Sequence, residues 1–124
     1  MKNRIFLTML LCMFAAAGAS YAQKKATVHG ELVEVVSYVK EGMKPTSAAG
    51  KEIAMENMRK GGTIALLEKG SKKMYILAPA PNDTNFVRNV TAYFGTPAAV
   101  KGAVYKRGGL NLIVVEDIGK SIKK

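Results

Sequence analysis

Ala26-Thr27-Val28-His29-Gly30-Glu31-Leu32-Val33-Glu34-Val35-Val36-Ser37-Tyr38-Val39 carries two alternations of opposite phase. Val28 and Leu32 share one face, whereas Val33, Val35, Ser37 and Val39 share the other, and the phase changes near Glu34. Successive side chains of a strand point to opposite faces, so one extra residue flips the pattern. The stretch therefore reads as one long strand, bulged or sharply coiled partway, with Gly30 easing the bend.

Downstream, Glu41-Gly42-Met43-Lys44-Pro45 breaks the strand, and Ser47 to Lys60 predicts a helix. Thr46 or Ser47 can cap its start and Gly61-Gly62 stop it. Ile53, Ala54, Asn57 and Met58 form its expected inward stripe, opposed by Lys51, Glu52, Glu56 and Lys60. Thr63 to Glu68 and Lys73 to Ala78 predict two short strands around the turn Lys69-Gly70-Ser71-Lys72. After a loop with Pro79 and Pro81, the spacing of Phe86, Val90 and Phe94 predicts a short helix over 85–94. Ala98 to Lys106 and Leu110 to Ile118 then form a second hairpin around Arg107-Gly108-Gly109.

The expected fold class follows from that order. It is mainly β, a five-stranded OB-fold-like barrel with a helix inserted between strands 1 and 2 and a short helix before strand 4. An open α+β sheet shares the same element order. Three segments carry a resemblance in addition: His29-Gly30-Glu31-Leu32-Val33-Glu34-Val35, the Gly50-Lys51-Glu52 helix start, and the closing run from Val100 to Tyr105 and Gly108 to Glu116. They resemble the small exported bacterial OB-fold domains, and the likeness spans nearly all of residues 23–124. It implies the barrel fold and an exported setting. Many of those domains hold cysteine after the first strand and cysteine or histidine in the inserted helix. Ser37-Tyr38 and Ile53, Ala54 and Met58 stand there instead, so no metal or redox role is carried over.

The first 22 residues read as a secretory signal peptide. Lys2 and Arg4 precede an apolar run from Ile5 to Ala17, interrupted only by Thr8 and Cys12. Gly18-Ala19-Ser20-Tyr21-Ala22 follows, with Ser20 and Ala22 in the A-x-A-like cleavage positions before Gln23. The run is shorter than the about 18 residues that a membrane span requires. The expected localisation is periplasmic or secreted, with 23–124 as one domain. Cleavage removes two cations and no acid, which lowers the formal net charge from +10 to +8, and it removes the only cysteine. Export permits disulfides, but none can form. A domain of roughly 100 residues can stand on its hydrophobic core alone.

Most catalytic chemistry lacks its residues. Cysteine nucleophiles are absent after cleavage, and a serine triad would depend on His29, the sole histidine, with no G-x-S-x-G elbow. One histidine does not make a zinc site. The carboxylate pairs Glu31/Glu34, Glu52/Glu56 and Glu116/Asp117 suit surface pairing with lysines, such as Glu56 with Lys60. Gly61-Gly62 follows a helix rather than opening one, unlike a phosphate-binding loop. The chain is expected not to be an enzyme, and to use no cofactor.

The basic excess is the remaining signal. Cations gather at turns and ends: Lys69, Lys72 and Lys73; Lys106 and Arg107; Lys120, Lys123 and Lys124. An OB-fold binds on its middle strands, flanked by the loops joining strands 1 to 2 and 4 to 5. Tyr75 and Tyr105 are strand aromatics that can stack on rings, Lys106 and Arg107 can meet anions, and Tyr38 joins them as a residue to test. These five are the candidate ligand-binding residues. The reading is a monomeric, exported binding module for an anionic polymer or an envelope protein, with no transmembrane segment once the leader is gone. Nucleic acid is the weaker partner, given the compartment. Two alternatives belong to other classes: a copper-handling protein using Met43, Met55 and Met58, whose thioethers suit Cu(I), and a structural component of an envelope assembly.

Overall fold

The computed structural model describes residues 24–122; the leader read at residues 1–22 lies outside them. Five strands close into a barrel in the order β1-β2-β3-β5-β4. They are β1 (Lys24–Glu34), β2 (Ile64–Glu68), β3 (Met74–Pro79), β4 (Ala98–Arg107) and β5 (Leu110–Lys120). Three helices interrupt them: α1 (Val35–Glu41) and α2 (Ala48–Arg59) between β1 and β2, and α3 (Phe86–Thr91) between β3 and β4. This is the OB-fold-like barrel expected, with one helix more than expected. Among the described residues no helix is long and apolar enough to cross a membrane.

Closure depends on β1 serving two neighbours. Lys24 to Gly30 pairs antiparallel with Val104 to Ala98, and Gly30 to Glu34 pairs antiparallel with Glu68 to Ile64. Gly30 belongs to both ladders. A Cβ there would lie 2.1 Å from the Leu67 carbonyl oxygen, so only glycine admits the approach. The barrel does contain a bulge, but in β5, where Glu116 is the extra residue opposite the step from Lys101 to Gly102 of β4, not in β1. The one parallel pairing joins Ile76–Pro79 of β3 to Leu112–Val115 of β5.

The expected long strand ends at Glu34, and this is the main correction. Val35 to Glu41 is helical, although valine and tyrosine favour strands. Glu34 explains the switch. Its fully buried carboxylate accepts hydrogen bonds from the amides of Val36 (2.9 Å) and Ser37 (3.0 Å), from Ser37 Oγ (3.0 Å) and from Asn57 Nδ2 (2.7 Å). Two otherwise orphaned amides of the first turn are thus satisfied. Gly42, at φ 69°, ends the helix and donates its amide to Tyr38. The change of phase near Glu34 is the end of a strand, not a kink within one.

α2 starts as expected, with Ser47 Oγ accepting the Gly50 amide at 3.0 Å. Ser47→Ala is expected to lower stability by about 1 kcal/mol in denaturant unfolding, and no loss would mean that α2 is held by packing alone. Its inward stripe is shifted from the one expected, with Met55 in place of Ile53. Ala54 is buried and Met55 and Met58 pack on the core, whereas Ile53 faces solvent. Inside the barrel, Val28, Leu32, Leu66, Tyr75, Leu77, Val100, Ile113 and Val115 meet Phe86, Val90 and Phe94 from α3 and the turn after it. Burying each large apolar side chain contributes about 1.5–3 kcal/mol.

Candidate functional site

Two turns supply most of the exposed cations at one end of the barrel. The β4–β5 turn is a two-residue loop between the paired Arg107 and Leu110. Gly108 and Gly109 take φ 60° and 78°, the left-handed pair that a tight hairpin requires. The β2–β3 turn presents Lys69, Lys72 and Lys73, all exposed. The parallel β3·β5 pairing sets the starts of these strands side by side, and Asn111 Nδ2 donates to the Met74 carbonyl at 3.2 Å. Lys73, next to Met74, therefore neighbours the turn that holds Lys106 and Arg107. Lys24 joins them from β1, paired opposite Val104.

Little acid opposes this group. The ion pairs among the described residues are Lys25–Glu116, Lys44–Glu31, Arg59–Glu56 and Lys60–Glu56. None of them involves Lys24, Lys69, Lys72, Lys73, Lys106 or Arg107. Unpaired cations this close together repel one another, and a polyanion relieves that repulsion.

The candidate tyrosines separate into three environments. Tyr105 is 41% exposed. It lies opposite Leu112, itself opposite Ile76, both half-buried on the outward row, which becomes fully buried at Ala65 and Val33. It therefore stands beside Lys106 and Arg107 on a partly apolar surface. Tyr75 points the other way and is a core residue, 6% exposed, so its expected stacking role is corrected. Burial and the nearby Glu68 charge push its hydroxyl above the ordinary value of 10.0. Tyr38 is half-buried on α1, in the neighbourhood of Lys44, whose ammonium is held above its ordinary value by its hydrogen bond to Glu31 and by that charge. The structure thus brings Tyr105, Lys106 and Arg107 together, and leaves Tyr38 and Tyr75 out.

Sequence reasoning missed Lys24 and Lys73 as neighbours of that turn, and it missed the outward apolar residues Ile76, Leu110 and Leu112. The apolar run Leu110 to Val115, broken only by Asn111, was a readable signal: a strand apolar at both parities has two apolar faces. The methionines divide differently. Met55 and Met58 pack against the barrel core, and Met43 is half-buried in the turn after α1. Among the described residues no cluster of three or more histidine, cysteine, aspartate or glutamate side chains is arranged to hold a metal ion. Compared with known proteins, the chain matches no protein-family model, no curated protein and no solved structure.

Proposed function

We propose that this chain is an exported, non-enzymatic binding module that takes an anionic polymer across the turn end of its barrel. One observation carries the reading: parallel pairing of β3 with β5 brings the start of β3, and with it Lys73, next to the turn that holds Lys106 and Arg107, and none of the three forms an ion pair among the described residues. Tyr105 adds a half-exposed ring next to those charges, suited to stacking on a sugar or base. Export rests on the leader pattern of residues 1–22, and the resemblance to exported bacterial OB-fold domains agrees with it. In that compartment the fitting polymer is an acidic polysaccharide, with nucleic acid behind it.

Immobilised heparin and a single-stranded oligonucleotide test the reading. The purified protein is expected to stay bound at about 0.15 M salt. Lys106→Ala/Arg107→Ala is expected to lower affinity about tenfold and to flatten the dependence of log K on log salt by about two phosphate-equivalents. Binding that washes off below that salt and ignores the double substitution would sink the proposal.

A further inference from the structure

A second concave surface lies where β1 passes from β4 to β2. The outer wall opens there into a cleft of about 310 Å³, at the lower end of the range for small-molecule sites and worth roughly ten water volumes. Gly30 lies on its floor, and Leu67 and Pro97 give it apolar walls. His29 and Glu31 flank Gly30, and Ser121 closes one side. The Ser121 amide donates to the Pro97 carbonyl at 2.9 Å, and its Oγ lies 2.9 Å from His29 Nδ1. That wall is therefore braced at two points, which leaves imidazole Nε2 as the free ring nitrogen.

The charges select a ligand class. Glu31 is already neutralised by Lys44 Nζ at 2.6 Å. Glu68 accepts the Ser71 hydroxyl at 2.5 Å and forms no ion pair among the described residues. Lys69 and Lys72 reach the cleft from the β2–β3 turn and form no ion pair among the described residues. Two free cations thus face one free carboxylate. Lys72 also adopts φ 57°, a left-handed conformation uncommon outside glycine and asparagine. A strained cation at the mouth of a cleft is the kind of position that function retains.

We infer that this cleft binds a small organic monoanion, a carboxylate with an apolar body. The ammonium groups of Lys69 and Lys72 meet the carboxylate, and Leu67 and Pro97 cover the body. A dianion such as phosphate is opposed by Glu68, the one carboxylate at the cleft without a cationic partner among the described residues. The site is separate from the polymer surface, because it uses the other side of the β2–β3 turn and none of Tyr105, Lys106 or Arg107.

Titration of ¹⁵N-labelled protein with hexanoate, phenylacetate, their two amides and inorganic phosphate tests the inference. Both carboxylates are expected to give saturating shifts at His29, Gly30, Lys69 and Ser121, with a dissociation constant of about 1 mM for ligands this small. The amides and phosphate are expected to bind at least about tenfold more weakly, since a lost charge contact is worth about one decade. Lys69→Ala/Lys72→Asn is expected to weaken carboxylate binding about tenfold, while the Lys72→Asn single variant keeps its melting temperature because asparagine tolerates the left-handed region. Lys106→Ala/Arg107→Ala is expected to leave carboxylate binding unchanged. Equal binding of amide or phosphate, no saturation by tens of millimolar, or indifference to the Lys69/Lys72 change overturns the inference. Loss of carboxylate binding in the Lys106/Arg107 variant overturns the separation of the two sites.

Discussion

Glu34→Ala is expected to lower the free energy of unfolding by about 3 kcal/mol, because it removes one acceptor group from four buried or part-buried donors. The Val36 and Ser37 amides, Ser37 Oγ and Asn57 Nδ2 would lose their partner where water reaches poorly. In a domain of about 100 residues this corresponds to a fall of roughly 15 °C in melting temperature. α1 would lose its cap, and the bond that ties β1 to α2 would go with it. Glu34→Gln keeps one carbonyl oxygen and presents an amide to donors, so an intermediate loss of about 1–2 kcal/mol is expected. Urea unfolding of both variants checks the order. Equal stability of Glu34→Ala and wild type would mean that α1 forms without this carboxylate.

The same group makes stability depend on acid. Burial pushes the Glu34 carboxyl up, but hydrogen bonds from Ser37, Val36 and Asn57 outweigh it and hold the group below its ordinary 4.5. In the unfolded chain Glu34 therefore binds a proton at higher pH than in the folded one. Its contribution is present in full above the ordinary value and is lost as pH falls from there through the depressed folded value. Glu34→Gln is expected to flatten the decline of stability below about pH 4.5. A decline as steep as in the wild type would assign acid sensitivity to other carboxylates.

Gly30→Ala is expected to cost about 3 kcal/mol by a different route. Its Cβ would lie 2.1 Å from the Leu67 carbonyl oxygen and 2.8 Å from the Leu67 carbonyl carbon. Both are backbone atoms, so β1 and β2 must part where β1 also pairs with β4. Gly102→Ala is expected to behave alike, with the Val114 oxygen 2.0 Å from its Cβ. Gly119→Ala is the control: nothing lies within 4 Å of a Cβ there, and alanine in a strand is neutral or stabilising by up to about 1 kcal/mol. Denaturant melts of the three variants should therefore separate Gly119→Ala from the other two. If Gly30→Ala tracks the control, the strand contact at Leu67 is not tight in solution.

Several elements were legible because their causes are local. Phe86, Val90 and Phe94 share a helical face, and all three are buried, although the helix proper ends at Thr91. Gly108-Gly109 between two runs rich in apolar residues marked the β4–β5 hairpin, and Ser47 marked the start of α2. α1 was not legible. Val35-Val36-Ser37-Tyr38-Val39 has strand propensity, and what makes it helical is a carboxylate held in place by Asn57, 23 residues away, and the pairing of the Val35 amide with the Thr63 carbonyl. The candidate site divides in the same way. Tyr105, Lys106 and Arg107 lie together on one hairpin strand, whereas Tyr75 differed from an outward residue only in parity.

The stretch from Ala26 to Val39 shows where the division falls. By itself the sequence determined an alternating strand through Glu34, the turns at glycine, the helix caps and the excess of positive charge. These depend on backbone preferences and side chains within a few residues of each other. Only the tertiary structure decided that the strand stops at Glu34, that Tyr75 faces inward, and that the cations of two separate turns share one end of the barrel. Those outcomes follow from β1 pairing with both β2 and β4 and from β3 lying parallel to β5. Such pairings join residues far apart in the chain, and no local pattern encodes which strands meet.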